Sequence, residues 1–172
     1  GEETGHADLM VLALSDDTVV VPRVSARAVD LLCDAEDRKL ALLAQATLDR
    51  NAASLRKLGL KTVRWSMLPP RYLPDSESPD EWISIYYSPV NAVLLNLGTE
   101  RVALVPVVDG MDLCFEEHRL AQLYQDQWRA SLRRLGWTMH LVDVTDLAMQ
   151  QGLARCVSAF VPLVGQPPGS AR

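Results

Sequence analysis

Near the start of the chain His6 and Asp8 stand two residues apart in the stretch GHAD, and an aliphatic run follows them directly. An imidazole exchanges a proton near neutral pH, and a carboxylate accepts paired N–H bonds from a planar cation. On an extended strand, residues i and i+2 share a face, so one side chain would move protons while the other grips a cation from the same side. A third reactive group, the thiol of Cys156, opens another apolar run, CVSAFV, far along the chain. Asn91 leads a further run, NAVLLNL. Each also has a plainer reading. His6 and Asp8 fit a polar strand edge, Cys156 fits a small buried hydrophobe, and Asn91 fits a residue that satisfies backbone groups. Only the elements that carry them can separate these readings.

Those elements form a repeat. In the first half, ADLMVLAL and TVVVPRV read as strands around a turn at Ser15-Asp16-Asp17. A helical stretch from about Ala26 to Leu58, broken near Asp34, and a strand KTVRWSML come next. The second half runs NAVLLNL, RVALVPVV, a helix from about Leu113 to Leu135, and TMHLVDV. Val21-Pro22 matches Val105-Pro106, and Leu58-Gly59 matches Leu135-Gly136, each glycine falling where a left-handed helix cap is wanted. Apolar residues at helical spacing, Leu40, Leu43, Ala44, Leu48, Ala52 and Leu55, then Leu120, Leu123, Trp128 and Leu132, mark the expected buried faces. Between the halves lies the proline-rich LPPRYLPDSESPDE, read as a loop. The pattern predicts an α/β fold of repeated strand–strand–helix–strand units, with a third, incomplete unit at LARCVSAFVPL. The alignment sets Asp8 opposite Asn91. If the units surround a common axis, His6, Asp8, Asn91 and Cys156 converge.

The 172 residues, 48% hydrophobic, suffice for one compact domain over residues 1–162, followed by a loose Pro/Gly tail at residues 163–172. With a net charge of -5 and no run of Lys or Arg, nucleic acid is not an expected partner. No apolar run is long enough to span a bilayer, so no membrane partner is expected either. Three widely spaced cysteines fit free thiols in a reducing, cytoplasmic setting. Cys33 and Cys114 are expected in the core, and the four tryptophans are expected to pack rather than stack on a ligand. His118 and His140 have no metal-ligand spacing, so neither a metal nor another cofactor is expected.

GHAD before an apolar strand resembles the Gly-His-x-Asp motif of the guanidine-modifying enzymes, within which the chain looks most like the agmatine deiminases and peptidyl-arginine deiminases. LDRNAASLRKLGL, YYSPVNAVLLN, VALVPVVDGMDLCFEEHRLAQLY and GLARCVSAFVP are similar to successive segments of that family, in the same order. The resemblance implies a pentein fold, an α/β propeller of five ββαβ units of which this chain holds two and a half to three. It implies Cys156 as nucleophile, His6 as proton carrier, Asp8 as the carboxylate that holds the substrate, and Asn91 beside it. The implied substrate is an arginine-like guanidinium, in a peptide or in agmatine. Two departures stand out: Arg155 replaces the usual histidine before the nucleophile, and the family's second substrate carboxylate lies upstream of the motif. The chain is therefore expected to be the C-terminal portion of a longer enzyme, or to be completed by another chain. A non-catalytic binding module and an amidinotransferase are the alternatives.

Overall fold

The computed structural model describes residues 9–74, 80, 82–108 and 113–148. His6, Asp8, Cys156, the expected third unit and the tail lie outside the described residues. The first unit opens with a short β1 (Leu12–Ala13), antiparallel to β2 (Thr18–Val24). A single turn, α1 (Ala26–Val29), leads to the long α2 (Ala35–Lys57), and β3 (Lys61–Met67) returns parallel to β2. Next comes a hairpin of β4 (Arg71–Pro74) and β5 (Trp82–Ile85). The second unit repeats the first. Its β6 (Val93–Asn96) is antiparallel to β7 (Arg101–Val107), α3 (Phe115–Arg134) crosses over, and β8 (Thr138–Asp143) lies parallel to β7, with α4 (Thr145–Ala148) after it.

Within the strand TVVVPRV the run from Val19 to Pro22 is apolar and buried because both its faces are covered. Val19 and Val21 pack with Met10 and with Ala41, Ala44, Leu48 and Ala52 of α2. Val20 points the other way, into a cluster with Trp65 and with Leu120, Tyr124, Trp128 and Leu132 of α3. The helix of the second unit thus covers the sheet of the first. The rings of Trp65 and Trp128 stack with centroids 6.3 Å apart. Gln127 accepts the Ser66 N–H at 3.0 Å, and Trp128 Nε1 donates to the Ser66 carbonyl at 2.8 Å. These two side chains satisfy both backbone groups of Ser66 on the open edge of β3.

Pro22 and Pro106 sit in central strands, where a missing N–H usually breaks a ladder. Each stands two residues beyond the last antiparallel pair, Val20 with Leu12 and Leu104 with Val93, so neither interrupts that ladder. Both long helices end alike. Gly59 (φ 86°) and Gly136 (φ 77°) adopt the left-handed conformation. Gly59 donates to Arg56 and Leu60 to Leu55, while Gly136 donates to Arg133 and Trp137 to Leu132, which closes the last turn in the Schellman pattern. Asp34 caps α2, its Oδ1 accepting from the N–H groups of Glu36 and Asp37 at 2.8 and 3.0 Å.

Several expectations are corrected. The proline-rich connection contains β4, which pairs with β5 just after it, and Trp82 of β5 is 66% exposed and so does not pack in the core. Among the described residues of ADLMVLAL only Leu12 and Ala13 pair as strand, although Met10, Leu12 and Leu14 are all buried. Leu43 and Leu123 are exposed. Each precedes a buried residue by one position, which turns it about 100° off the packed face. Cys33 and Cys114 are exposed as well, because Cys114 is the N-cap of α3 and Cys33 precedes the N-cap of α2. Such positions lie outside the helix and its packed face.

Candidate functional site

Of the four residues that the sequence nominates, Asn91 is the one the structure describes. It is fully buried in the turn Ser88-Pro89-Val90-Asn91, and its N–H donates to the Ser88 carbonyl at 3.4 Å. The Ser88 hydroxyl donates to the Leu9 carbonyl at 2.6 Å. Leu9, the first described residue, is thereby tied to the turn that carries Asn91. Strand register refines the equivalence. Leu12 and Val93 occupy the same place in their units, because Val20 and Leu104, their partners, each precede the strand proline by two. Met10, rather than Asp8, is therefore the counterpart of Asn91.

A buried polar cluster supports this turn from the hairpin side. Arg71 of β4 pairs with Glu117 of α3, whose carboxylate also accepts the Cys114 N–H at 3.0 Å. The Glu117 side chain is almost wholly buried and that of Arg71 is 21% exposed. The next residue, Tyr72, donates its N–H to Asp37 Oδ1 at 2.8 Å. Asp37 and Glu117 are both the third residue of their helix. Equivalent carboxylates of the two units thus grip consecutive residues of β4. Tyr87, just before Ser88, adjoins this cluster. Burial pushes its phenol up to about 12; Arg71 works against the shift, and the charges of Glu117 and Asp37 add to it.

On the outer side of the hairpin, Asp34, Glu36 and Asp37 face Tyr72 and Trp82 across an open cleft of about 590 Å³. Its carboxylates already serve the protein: Asp34 caps α2, Glu36 pairs with Lys39 at 3.3 Å, and Asp37 holds Tyr72. Among the described residues no group of three or more His, Cys, Asp or Glu side chains is placed to hold a metal ion.

Sequence reasoning missed Ser88, Arg71 and Glu117. The spacing Cys114-x-x-Glu117 follows the helix-start pattern in which the third residue reaches back to the cap, and that signal was available. Nothing local marks Arg71 as its partner, 46 residues away.

No family model and no curated protein matches the sequence. Solved structures do match by fold. Agmatine deiminase of C. jejuni superposes with a TM-score of 0.54 at 16% identity, over 88% of this chain and 37% of that one. A cysteine-to-serine variant of the C. jejuni enzyme with substrate bound gives 0.52 at 14% identity, over 88% and 35%. A protein described as a proposed arginine deiminase of Porphyromonas gingivalis gives 0.52 at 17% identity, over 88% and 37%. The chain spans little more than a third of the length of these solved chains. At such identity the likeness is one of fold: the chain shares a mixed α/β fold with these deiminase structures.

Proposed function

We propose that this pentein-fold chain carries the reactive part of a cysteine-dependent deiminase, which hydrolyses an arginine-like guanidinium to a ureido product and ammonia. The observation that carries the reading is the hydrogen bond from Ser88 to Leu9, which ties the Asn91 turn to the residue after Asp8 in a chain folded like agmatine and arginine deiminases. A guanidinium carbon is a weak electrophile, its charge being spread over three nitrogens, and a thiolate is the side chain suited to attack it. The Cys156 thiolate adds to that carbon and forms a tetrahedral adduct. His6 protonates one nitrogen, the C–N bond breaks, and ammonia leaves. His6 then takes a proton from water as the hydroxide adds to the thiouronium carbon. Collapse of this second adduct breaks the C–S bond, frees the thiolate, passes the hydroxyl proton to solvent and releases the urea-type product. Asp8, with Asn91 beside it, orients the cation through charge-assisted hydrogen bonds. A second carboxylate, from a further part of the same protein or another chain, completes the clamp.

The test uses this chain and any longer parent that contains it. Each is incubated with arginine, agmatine and an arginyl peptide, and ammonia and ureido product are measured. Cys156 is then labelled with a haloacetamidine, a cationic substrate mimic. Turnover of one of the three substrates is expected, with selective labelling of Cys156 that His6→Ala or Asp8→Ala weakens at least tenfold. Labelling with no preference over the exposed Cys33 and Cys114, and no turnover by the parent, would sink the enzymatic reading. It would favour a non-catalytic binding module, the reading that Arg155 before Cys156 supports.

A further inference from the structure

The contact between the two units repeats, half-made, at both ends of the described chain. Within the chain, α3 lies on the face of the first sheet formed by Leu12, Val20, Val63 and Trp65. Strand register gives the matching face of the second sheet as Val93, Leu104, His140 and Val142. Val20 and Trp65 are fully buried, whereas Leu104 and Val142 stay half-exposed and His140 is exposed. The helix of the second unit packs on the opposite face of its own sheet, with Leu94, Ala103, Val105 and Met139. The helices show the same imbalance. Counted back from the capping glycines Gly59 and Gly136, Leu43, Thr47, Arg50 and Asn51 of α2 hold the places of Leu120, Tyr124, Gln127 and Trp128 of α3. On α3 that stripe is packed, and Leu120 is 3% exposed. On α2 it is open: Leu43 is 61% exposed, Arg50 is exposed, and Thr47 and Asn51 are half-buried.

We propose that two copies of this chain associate head to tail, with α2 of one copy lying on the Leu104–His140 face of the other as α3 lies on the first sheet. Such a contact needs one helix stripe and one sheet face of matching design, and a single chain offers one of each. That self-complementarity favours a second copy as the occupant. Charge supports the same occupant. Inside the chain, Gln127 and Trp128 engage the two backbone groups of Ser66. In the proposed contact Arg50 and Asn51 take their places, and Asp143 takes the place of Ser66, since each follows the partner of its strand proline by one. A guanidinium thus meets a carboxylate, and the Asn51 amide can donate to the Asp143 carbonyl as Trp128 donates to that of Ser66. The Asp143 carboxylate also accepts from the N–H and hydroxyl of Thr145, at 3.0 and 2.6 Å, which fixes its position. The contact joins unlike surfaces, so it builds closed rings or open chains and not a two-fold patch. Its residues take no part in the reaction proposed above, and it stands whether or not that reaction does.

Sedimentation equilibrium over the micromolar range is the test. The unsubstituted chain is expected to associate reversibly. Leu43→Glu and His140→Glu change exposed residues, one on each side of the contact, and each is expected to weaken association at least tenfold while circular dichroism shows an unchanged fold. The decisive step mixes the two variants. A His140→Glu copy still has a native α2, and a Leu43→Glu copy still has a native sheet face, so the mixture is expected to form a one-to-one pair that neither variant forms alone. Association that both variants leave unchanged, or variants that fail to pair when mixed, overturns the proposal. So does a chain that stays monomeric. In that case Leu43→Cys, treated with a maleimide and mapped by mass spectrometry against the exposed Cys33 and Cys114, tells what lies on the stripe. Rapid labelling means that nothing covers it, and protection in a monomer means that another part of the same polypeptide does; either result excludes the second copy.

Discussion

Glu117 shows how much one side chain can hold. It closes the first turn of α3 through the Cys114 N–H and neutralises Arg71 on the hairpin, both within a largely buried setting. Removal of one partner from such a pair strands the other charge away from water. Glu117→Ala is expected to destabilise the protein by about 3 kcal/mol, at the lower end for a buried pair because Arg71 keeps some access to solvent. Glu117→Gln should cost less, since the amide oxygen can still accept from Cys114. Urea midpoints of the two variants check the order. Tyr87 gives a pH prediction. Its phenol titrates at about 12 in the folded protein, chiefly through burial, against about 10 in an unfolded chain. The folded state keeps the proton longer, so the stability this contributes is whole below about pH 10 and is lost as pH rises toward 12, a difference on the order of 2–3 kcal/mol. Alkaline unfolding of Tyr87→Phe should therefore be shallower over that window, as followed by circular dichroism.

At the scale of elements the repeat is the governing fact. The two Schellman endings were legible in the sequence because Leu-Gly recurs at the ends of two apolar helices, and Gly59 and Gly136 prove to have positive φ. An added Cβ at Gly59 meets nothing within 4 Å, so its penalty is purely one of backbone conformation. Gly59→Ala and Gly136→Ala are each expected to cost about 1 kcal/mol, and similar losses in thermal unfolding would show that the two caps are equivalent. The helix limits were also legible, since their apolar rows recur at three and four. Two things were not. The run ADLMVLAL records burial rather than pairing: Met10 and Leu14 are core residues outside the ladder, and a hydrophobic pattern cannot tell these apart. The β4–β5 hairpin was hidden because its prolines lie at strand ends and its register depends on anchors in two distant helices.

At the scale of the molecule, part of the candidate site was readable and part was not. Asn91 could be nominated because it opens an apolar strand, and it is buried where such a strand begins. Its counterpart could not be found by matching polar residues, because register places Met10 there. Ser88 was invisible for a different reason: its partner Leu9 is 79 residues away, and only the folded chain brings them together. Coverage of the β3 edge by Gln127 and Trp128 was equally out of reach, since neither residue type announces a distant strand.

That coverage has a further consequence. Because α3 supplies the second layer over the Val20 face, neither half of the described chain owns its interior, and each would expose a sticky surface if it stood alone. The protein should behave as a natural split pair. Separate polypeptides cut after Pro74 are expected to lack fixed tertiary structure singly and to regain the near-ultraviolet signal of Trp65 and Trp128 when mixed. Halves that fold independently would mean that the tryptophan stack is an ornament of the architecture and not its keystone.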